Sequence, residues 1–113
     1  MIHVFLDDAR RCPPGFVHAR SAEECLLLLK ECEVDVLSLD YDLGWGQPSG
    51  MDAVCGLIAA GRFPRRIYLH TSSDVGRQRM YQALYAARPD GVQLFNGPVP
   101  EETLREIARA SKP

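Results

Sequence analysis

Two apolar runs of this chain end in paired acids. In MIHVFLDDAR the apolar residues lead into Asp7 and Asp8, and in VDVLSLDYDLG Val36, Leu37 and Leu39 lead into Asp40 and Asp42. Carboxylates held a few ångströms apart raise one another's pKa unless a cation stands between them. A hard divalent ion such as Mg2+ or Mn2+ takes one or two carboxylates together with waters and phosphate oxygens. Asp7, Asp8, Asp40 and Asp42 are therefore the candidate ligands of such an ion. Their mutual repulsion predicts that neutralising Asp7 or Asp40 leaves the metal-free protein as stable as before, or more so. Any one of them alone serves equally well as a cap, a turn former or a solvated loop residue. It is the recurrence at two strand ends that favours a metal or phosphate site.

A third group with chemical capacity is IYLHTSS. His70 can donate to a phosphate oxygen or carry a proton near neutral pH, although a lone histidine at a strand end is more often structural. Thr71, Ser72 and Ser73 add hydroxyls, and the N–H groups that open the next helix offer an anion seat. Arg77 and Arg79 lie in the first turns of that helix, where they can clamp phosphate or remain solvated surface charges. Trp45, in the turn-forming loop GWGQPSG, is placed either to cover a ligand or base or to pack over the sheet rim. His70-Thr71-Ser72 matches the HxS unit of two-histidine phosphoesterases, which need two such units where this chain has one. No P-loop, GxSxG, HExxH or RNA-binding aromatic motif is found.

These groups need a scaffold that brings three chain segments together. Residues 2–7 read as a buried strand, and the RRCPPG stretch that follows is a loop, since two prolines and a glycine exclude a helix. A short strand over 16–20 precedes a helix opened by the capping box Ser21-Ala22-Glu23-Glu24 and running to about Cys32. A strand over 34–40, a helix over 51–60 stopped by Gly61, and a strand over 66–71 come next. Ser73 or Asp74 caps a helix to about Arg88; a strand over 92–95 and a helix begun by Pro100 complete the chain. Strands alternating with helices, and too apolar to be wetted on either face, predict an α/β three-layer sandwich around a parallel sheet. In such sheets ligands bind beyond the carboxyl ends of the strands, near the topological switch point. Asp7, Asp8, Asp40, Asp42 and the His70–Ser73 stretch then share one rim, with His3 and His18 on the body of the early strands.

At 113 residues the chain is expected to form a single domain over 1–113, and 46% hydrophobic with 25% charged residues is enough to bury one core without staples. A net charge of −2 gives no global attraction to nucleic acid or membrane, so any anion must be held locally. No apolar run reaches membrane-spanning length and the first acids come too early for a signal peptide, which predicts a cytoplasmic protein without membrane contact. Cys12, Cys25, Cys32 and Cys55 show no CxxC spacing. Cys25 and Cys32, seven apart in the expected helix, read as one apolar face rather than a zinc or disulfide pair.

The order of parts resembles a response-regulator receiver domain, with an acidic pair after strand one, Asp40 ending strand three and Thr71 ending strand four. That likeness implies a five-stranded sheet in order 2-1-3-4-5. It differs in having no helix between strands one and two, and in Asn96 where receivers place a lysine. A closer resemblance, covering nearly the whole chain, is to the cyclic-phosphate-processing receiver-like family. It rests on VFLDDAR, the P-x-G-F turn, SLDYDLG and LHTSSDVGRQRM, and the short first connection is expected there. Tyr41 stands where that family usually has histidine, and Ser73-Asp74 where it usually has Asn-Pro. The resemblance implies site residues Asp7, Asp8, Arg10, Asp40, Asp42, His70 and Thr71, and recognition or hydrolysis of a cyclic phosphate on a nucleotide or RNA end, as in RNA repair. On that reading His70, Asp40 and Thr71 are catalytic, and Arg10, Thr71, Ser72, Ser73 and Arg77 contact phosphate. The competing expectation is a non-catalytic receiver-like binding or signalling module. A phosphoacceptor receiver, with Asp40 phosphorylated, is disfavoured by Asn96.

Overall fold

The computed structural model describes residues 1–112. Its elements are β1 (Ile2–Leu6), β2 (Val17–Ala19), α1 (Ala22–Glu31), β3 (Val34–Leu39), α2 (Gly50–Ala60), β4 (Arg66–Leu69), α3 (Asp74–Ala87), β5 (Gln93–Phe95) and α4 (Glu101–Ala110). The sheet order is β2-β1-β3-β4-β5 and every pairing is parallel. No helix among the described residues is long and apolar enough to cross a membrane.

Period-two alternation along the strands sorts the core into two faces. Val4, Leu6, Leu37, Leu39, Ile67 and Leu69 point to the side covered by α1, α2 and α3, where Cys25, Leu29, Val54, Leu57, Met80 and Leu84 meet them. Val36 and Tyr68 point to the other side and pack with Val99, Ile107 and, at their edge, Phe16 and Leu104. That second face has α4 but no helix between β1 and β2. Parallel neighbours are usually joined by a dozen or more residues that include a helix; here residues 7–16 make the whole crossover without one. Phe16 stands in for the missing helix, edge-on to Phe5 at 6.3 Å and tilted against His3 at 5.7 Å.

The caps follow the sequence signals in part: Ser21 supplies one half of the expected capping box, and the reciprocal box forms instead between Ser49 and Asp52 of α2. Ser21 Oγ accepts from Glu24 N at 3.1 Å, Gly61 ends α2 in the left-handed conformation, and Ser73, not Asp74, caps α3 by accepting from Gly76 N at 3.1 Å. Pro100 sits at the N-cap of α4, one residue before the position expected of it. Cys25 and Cys32 do not share a helical face. α1 ends at Glu31, and Cys32 is already extended because Glu33 must turn to pair with Ile2. Cys25 is buried, Cys12 and Cys32 are half-buried and Cys55 is exposed, all as free thiols.

Candidate functional site

The carboxyl ends of β1, β3 and β4 converge on a cleft of about 590 Å3 lined by Asp7, Asp8, Ala9, Arg10, Asp40, Asp42, Gly44, Trp45 and Ser72. A volume of that size is within the range of small-molecule sites, about 300–1,000 Å3.

Asp7 is the most engaged side chain of the rim. It is fully buried, and its Oδ1 accepts from the backbone N–H groups of Ala9 and Arg10, each at 2.9 Å. Its Oδ2 accepts from Arg10 Nη1 and from His70 Nε2, again at 2.9 Å each. Burial alone would raise its pKa, but these four donors outweigh burial and hold the carboxyl far below the ordinary range. Against the expected repulsion among the acids, Asp7 has these four donors to offset its charge. This residue ties down the start of the helix-free crossover, while its own carbonyl accepts from His18 Nε2 at 2.7 Å.

Arg10 joins the two acid clusters. Besides Asp7, its Nη1 lies 3.3 Å from Asp40 Oδ2, and its side chain remains 45% exposed to the cleft. Asp40 is buried, and its Oδ1 accepts from the backbone N–H of Tyr41 at 2.8 Å. Asp8 and Asp42 are exposed, and Asp42 Oδ1 accepts from Gly44 N at 3.1 Å. Tyr41 turns away from the rim: its ring lies so close to Gly76 of α3 that any side chain there would clash.

His70 is enclosed rather than offered to the cleft. Its ring stacks on Phe5, with centroids 4.4 Å apart and planes 8° from parallel, and both nitrogens are engaged. Because a carboxylate can only accept, Nε2 carries the hydrogen donated to Asp7, and Nδ1 accepts from the Ser38 hydroxyl at 2.6 Å. Burial lowers the pKa of the ring more than Asp7 raises it, consistent with a neutral imidazole at pH 7. Ser38 is the polar residue that sequence reasoning missed. It sits in the apolar run of β3, and alternation places it beside Phe5 and His70 on the α4 face, against an apolar cavity of about 80 Å3. The only signal available was a serine two positions before Asp40.

Thr71 is buried and its Oγ1 accepts from Ser73 N at 3.1 Å, leaving the hydroxyl hydrogen free to donate. Ser72 is exposed on the cleft wall. Ser73 is committed to capping α3, and Arg77 pairs with Asp74 at 3.0 Å on its own helix, outside the cleft lining. The rim thus brings together Asp7, Asp8, Arg10, Asp40, Asp42 and Ser72, with His70 and Thr71 behind them.

Among the described residues, one group of potential metal-ligating atoms, from Asp7, Asp40 and His70, lies within 4.8 Å of one another. The Asp7 and His70 atoms of that group already bond to each other. A hard divalent cation takes oxygen donors; on this rim Asp40 Oδ2 is engaged by Arg10, while Asp8 and Asp42 are exposed. A second cleft of about 420 Å3, lined by Asp35, Arg65, Arg66, Gly91 and Gln93, lies at the opposite end of the strands. There Arg66 and Asp35 satisfy each other in a two-pronged ion pair.

Comparison with known proteins agrees with this architecture. No curated protein sequence matches the chain. Among solved structures, the response regulator domain of Thermotoga maritima CheB is similar over 96% of this chain and 89% of that one, with a TM-score of 0.53. At 18% identity this likeness shows the fold alone. The profile of the cyclic-phosphate processing receiver domain matches residues 2–86, which hold every rim residue described above. The match spans well over half of the chain, which therefore belongs to the cyclic-phosphate processing receiver domain family.

Proposed function

We propose that this domain recognises or hydrolyses a cyclic phosphodiester, on a nucleotide or an RNA end, with the help of Mg2+ or Mn2+. One observation carries the reading: four carboxylates line the cleft with Arg10 as its one cation, and Arg10 is already paired with Asp7 and Asp40 while Asp8 and Asp42 stay exposed. A phosphate anion is repelled from such a surface unless a cation accompanies it. Asp8, Asp40 and Asp42 would hold the ion, with Asp7 behind them. When bound, such an ion offsets charge on the phosphate and lowers the pKa of a coordinated water.

The protein's own groups supply the rest. Arg10, released from Asp40, keeps its anchor on Asp7 and turns its remaining N–H groups toward the phosphate; guanidinium suits this by its planar fork of donors. The Thr71 and Ser72 hydroxyls donate to phosphate oxygens. Ser73 and Arg77 join only by giving up the α3 cap and the Asp74 pair, which makes them secondary contacts. Asp40 would take a proton from the attacking water and return it to the ester oxygen released as that P–O bond breaks. His70, neutral and held on both nitrogens, acts by fixing Asp7, which in turn fixes Arg10.

That enclosure of His70 favours a second reading, a non-catalytic module that binds the same phosphate group, because no free imidazole faces the cleft. Phosphorus NMR of 2′,3′-cyclic AMP incubated with the protein and Mg2+ or Mn2+ separates the two. Conversion of the cyclic resonance to a monoester supports hydrolysis. Binding without conversion supports the module, and neither outcome in either metal overturns both.

A further inference from the structure

We propose that Trp45 is a stacking platform for the base of the nucleotide that carries the cyclic phosphate, so that the ligand is a nucleotide rather than a bare cyclic phosphodiester. This inference rests on the phosphate reading above and assigns the residue that takes the nucleotide's base. Trp45 is 99% exposed and is the sole tryptophan of the chain. An exposed aromatic by itself is ordinary, but this one lines the same cleft as the acids and is carried on a built turn. Leu43 anchors the turn in the core, Asp42 Oδ1 accepts from Gly44 N at 3.1 Å, and Gly44 O accepts from Gln47 N at 3.2 Å. Gly44 and Gly46, on either side of the indole, have φ of 111° and 74°, the left-handed region that favours glycine. A Cβ at Gly44 would come 3.3 Å from Asp8 Oδ2, so a larger residue there would crowd one of the candidate metal ligands.

The cleft therefore joins an acidic, cation-accepting floor to an aromatic lip, and one ligand class offers both complements. A nucleotide ending in a cyclic phosphate has an anion for the floor and a flat π face for the lip. Stacking on an aromatic side chain tolerates every base, because each presents such a face. Nothing at the lip other than Trp45 is aromatic, so the base contact falls on this residue.

The test uses the full chain in Mg2+, with fluorescence of the single tryptophan and calorimetric affinities for two probes, 2′,3′-cyclic AMP and the base-free 1,2-cyclic phosphate of glycerol. The cyclic nucleotide is expected to quench the fluorescence saturably, and glycerol cyclic phosphate to bind without quenching. Trp45→Ala should reduce the preference for the nucleotide over the base-free probe by about five- to hundredfold, and Trp45→Phe should restore most of it. An oligoribonucleotide ending in 2′,3′-cyclic phosphate separates a strand end from a free nucleotide. Tighter binding than the mononucleotide marks the strand end as the ligand; equal binding marks the terminal nucleotide alone, and both keep the base on Trp45. If the two small probes bind equally, or Trp45→Ala leaves their ratio unchanged, the platform is overturned while the phosphate site stands. If neither probe binds, both fall together.

Discussion

His70 and Asp7, 63 residues apart in the chain, meet with Nε2 2.9 Å from Oδ2. The contact couples the end of β4 to the end of β1 across β3, and the carboxylate that receives it also holds Arg10 and the first turn of the crossover. Asp7 thus works first as the structural keystone of the rim.

The first prediction follows from that role. Asp7→Asn replaces an acceptor of four hydrogen bonds by an amide whose N–H2 must face donors. It should destabilise the metal-free protein by roughly 2–4 kcal/mol, after discounting the solvent-screened Arg10 contact. Urea unfolding measures this directly. Unchanged or increased stability would restore repulsion among the acids as the dominant effect.

The second concerns pH in the presence of a chelator. The folded pKa of Asp7 lies below its ordinary 3.8, so the unfolded chain takes up the proton first. Its contribution is fully present above about pH 4 and is lost as pH falls toward the folded value. His70 is lowered from 6.5 by burial, so here too the unfolded state protonates first, and stability falls as pH drops below about 6.5. His3, also lowered chiefly by burial, adds to that upper window. Unfolding free energies from pH 8 to 3 should decline in two stages. Asp7→Asn should remove part of the lower stage and His70→Gln part of the upper one. A wild-type curve flat between pH 7 and 5 would contradict the burial of a neutral His70.

The third sets Arg10 against the metal. Arg10 Nη1 occupies Asp40 Oδ2, the oxygen proposed for the ion, so Arg10→Met should strengthen binding of Mg2+ alone while weakening the cyclic nucleotide in saturating Mg2+. The lost charge-assisted hydrogen bonds correspond to about 1.5–3 kcal/mol. Titration calorimetry of both ligands reads the two signs. Weaker Mg2+ binding in the variant would mean that Arg10 supports the ion instead of yielding to it.

How much of this was legible in the sequence depends on the range of each interaction. The apolar strands, their acidic ends and the absence of a first crossover helix were readable because they rest on composition, alternation and two prolines. The shared rim followed from topology once the strands were parallel. The links between distant side chains were not readable. Ser38, inside the apolar run of β3, gave no sign of its bond to His70, and Tyr41 showed no sign of packing on Gly76. Arg10 stands three residues after Asp7, a spacing that allowed their contact, but the second bond to Asp40 needed the pairing of β1 with β3. Cys32 was misplaced because a one-residue difference in helix length decides which face a residue joins.

The fourth prediction concerns His70. If it acts by fixing Asp7, His70→Gln lowers stability and reduces turnover or binding by no more than about tenfold. A general acid would cost about two to four orders of magnitude in turnover at unchanged affinity. Nitrogen NMR of the wild-type ring should show one protonated and one unprotonated nitrogen at pH 7, with the hydrogen on Nε2. A doubly protonated ring at that pH would contradict the Ser38–His70–Asp7 arrangement.

The central claim is that the acidic rim takes a phosphate only together with a divalent cation. Equilibrium binding of 2′,3′-cyclic AMP, measured in Mg2+ and again in excess chelator, tests it most directly, with Asp40→Asn as the matched variant. Binding is expected to the wild-type protein in Mg2+, with none in chelator and none to Asp40→Asn in either buffer. Equal binding with and without metal, or undiminished binding to a folded Asp40→Asn protein, would contradict it.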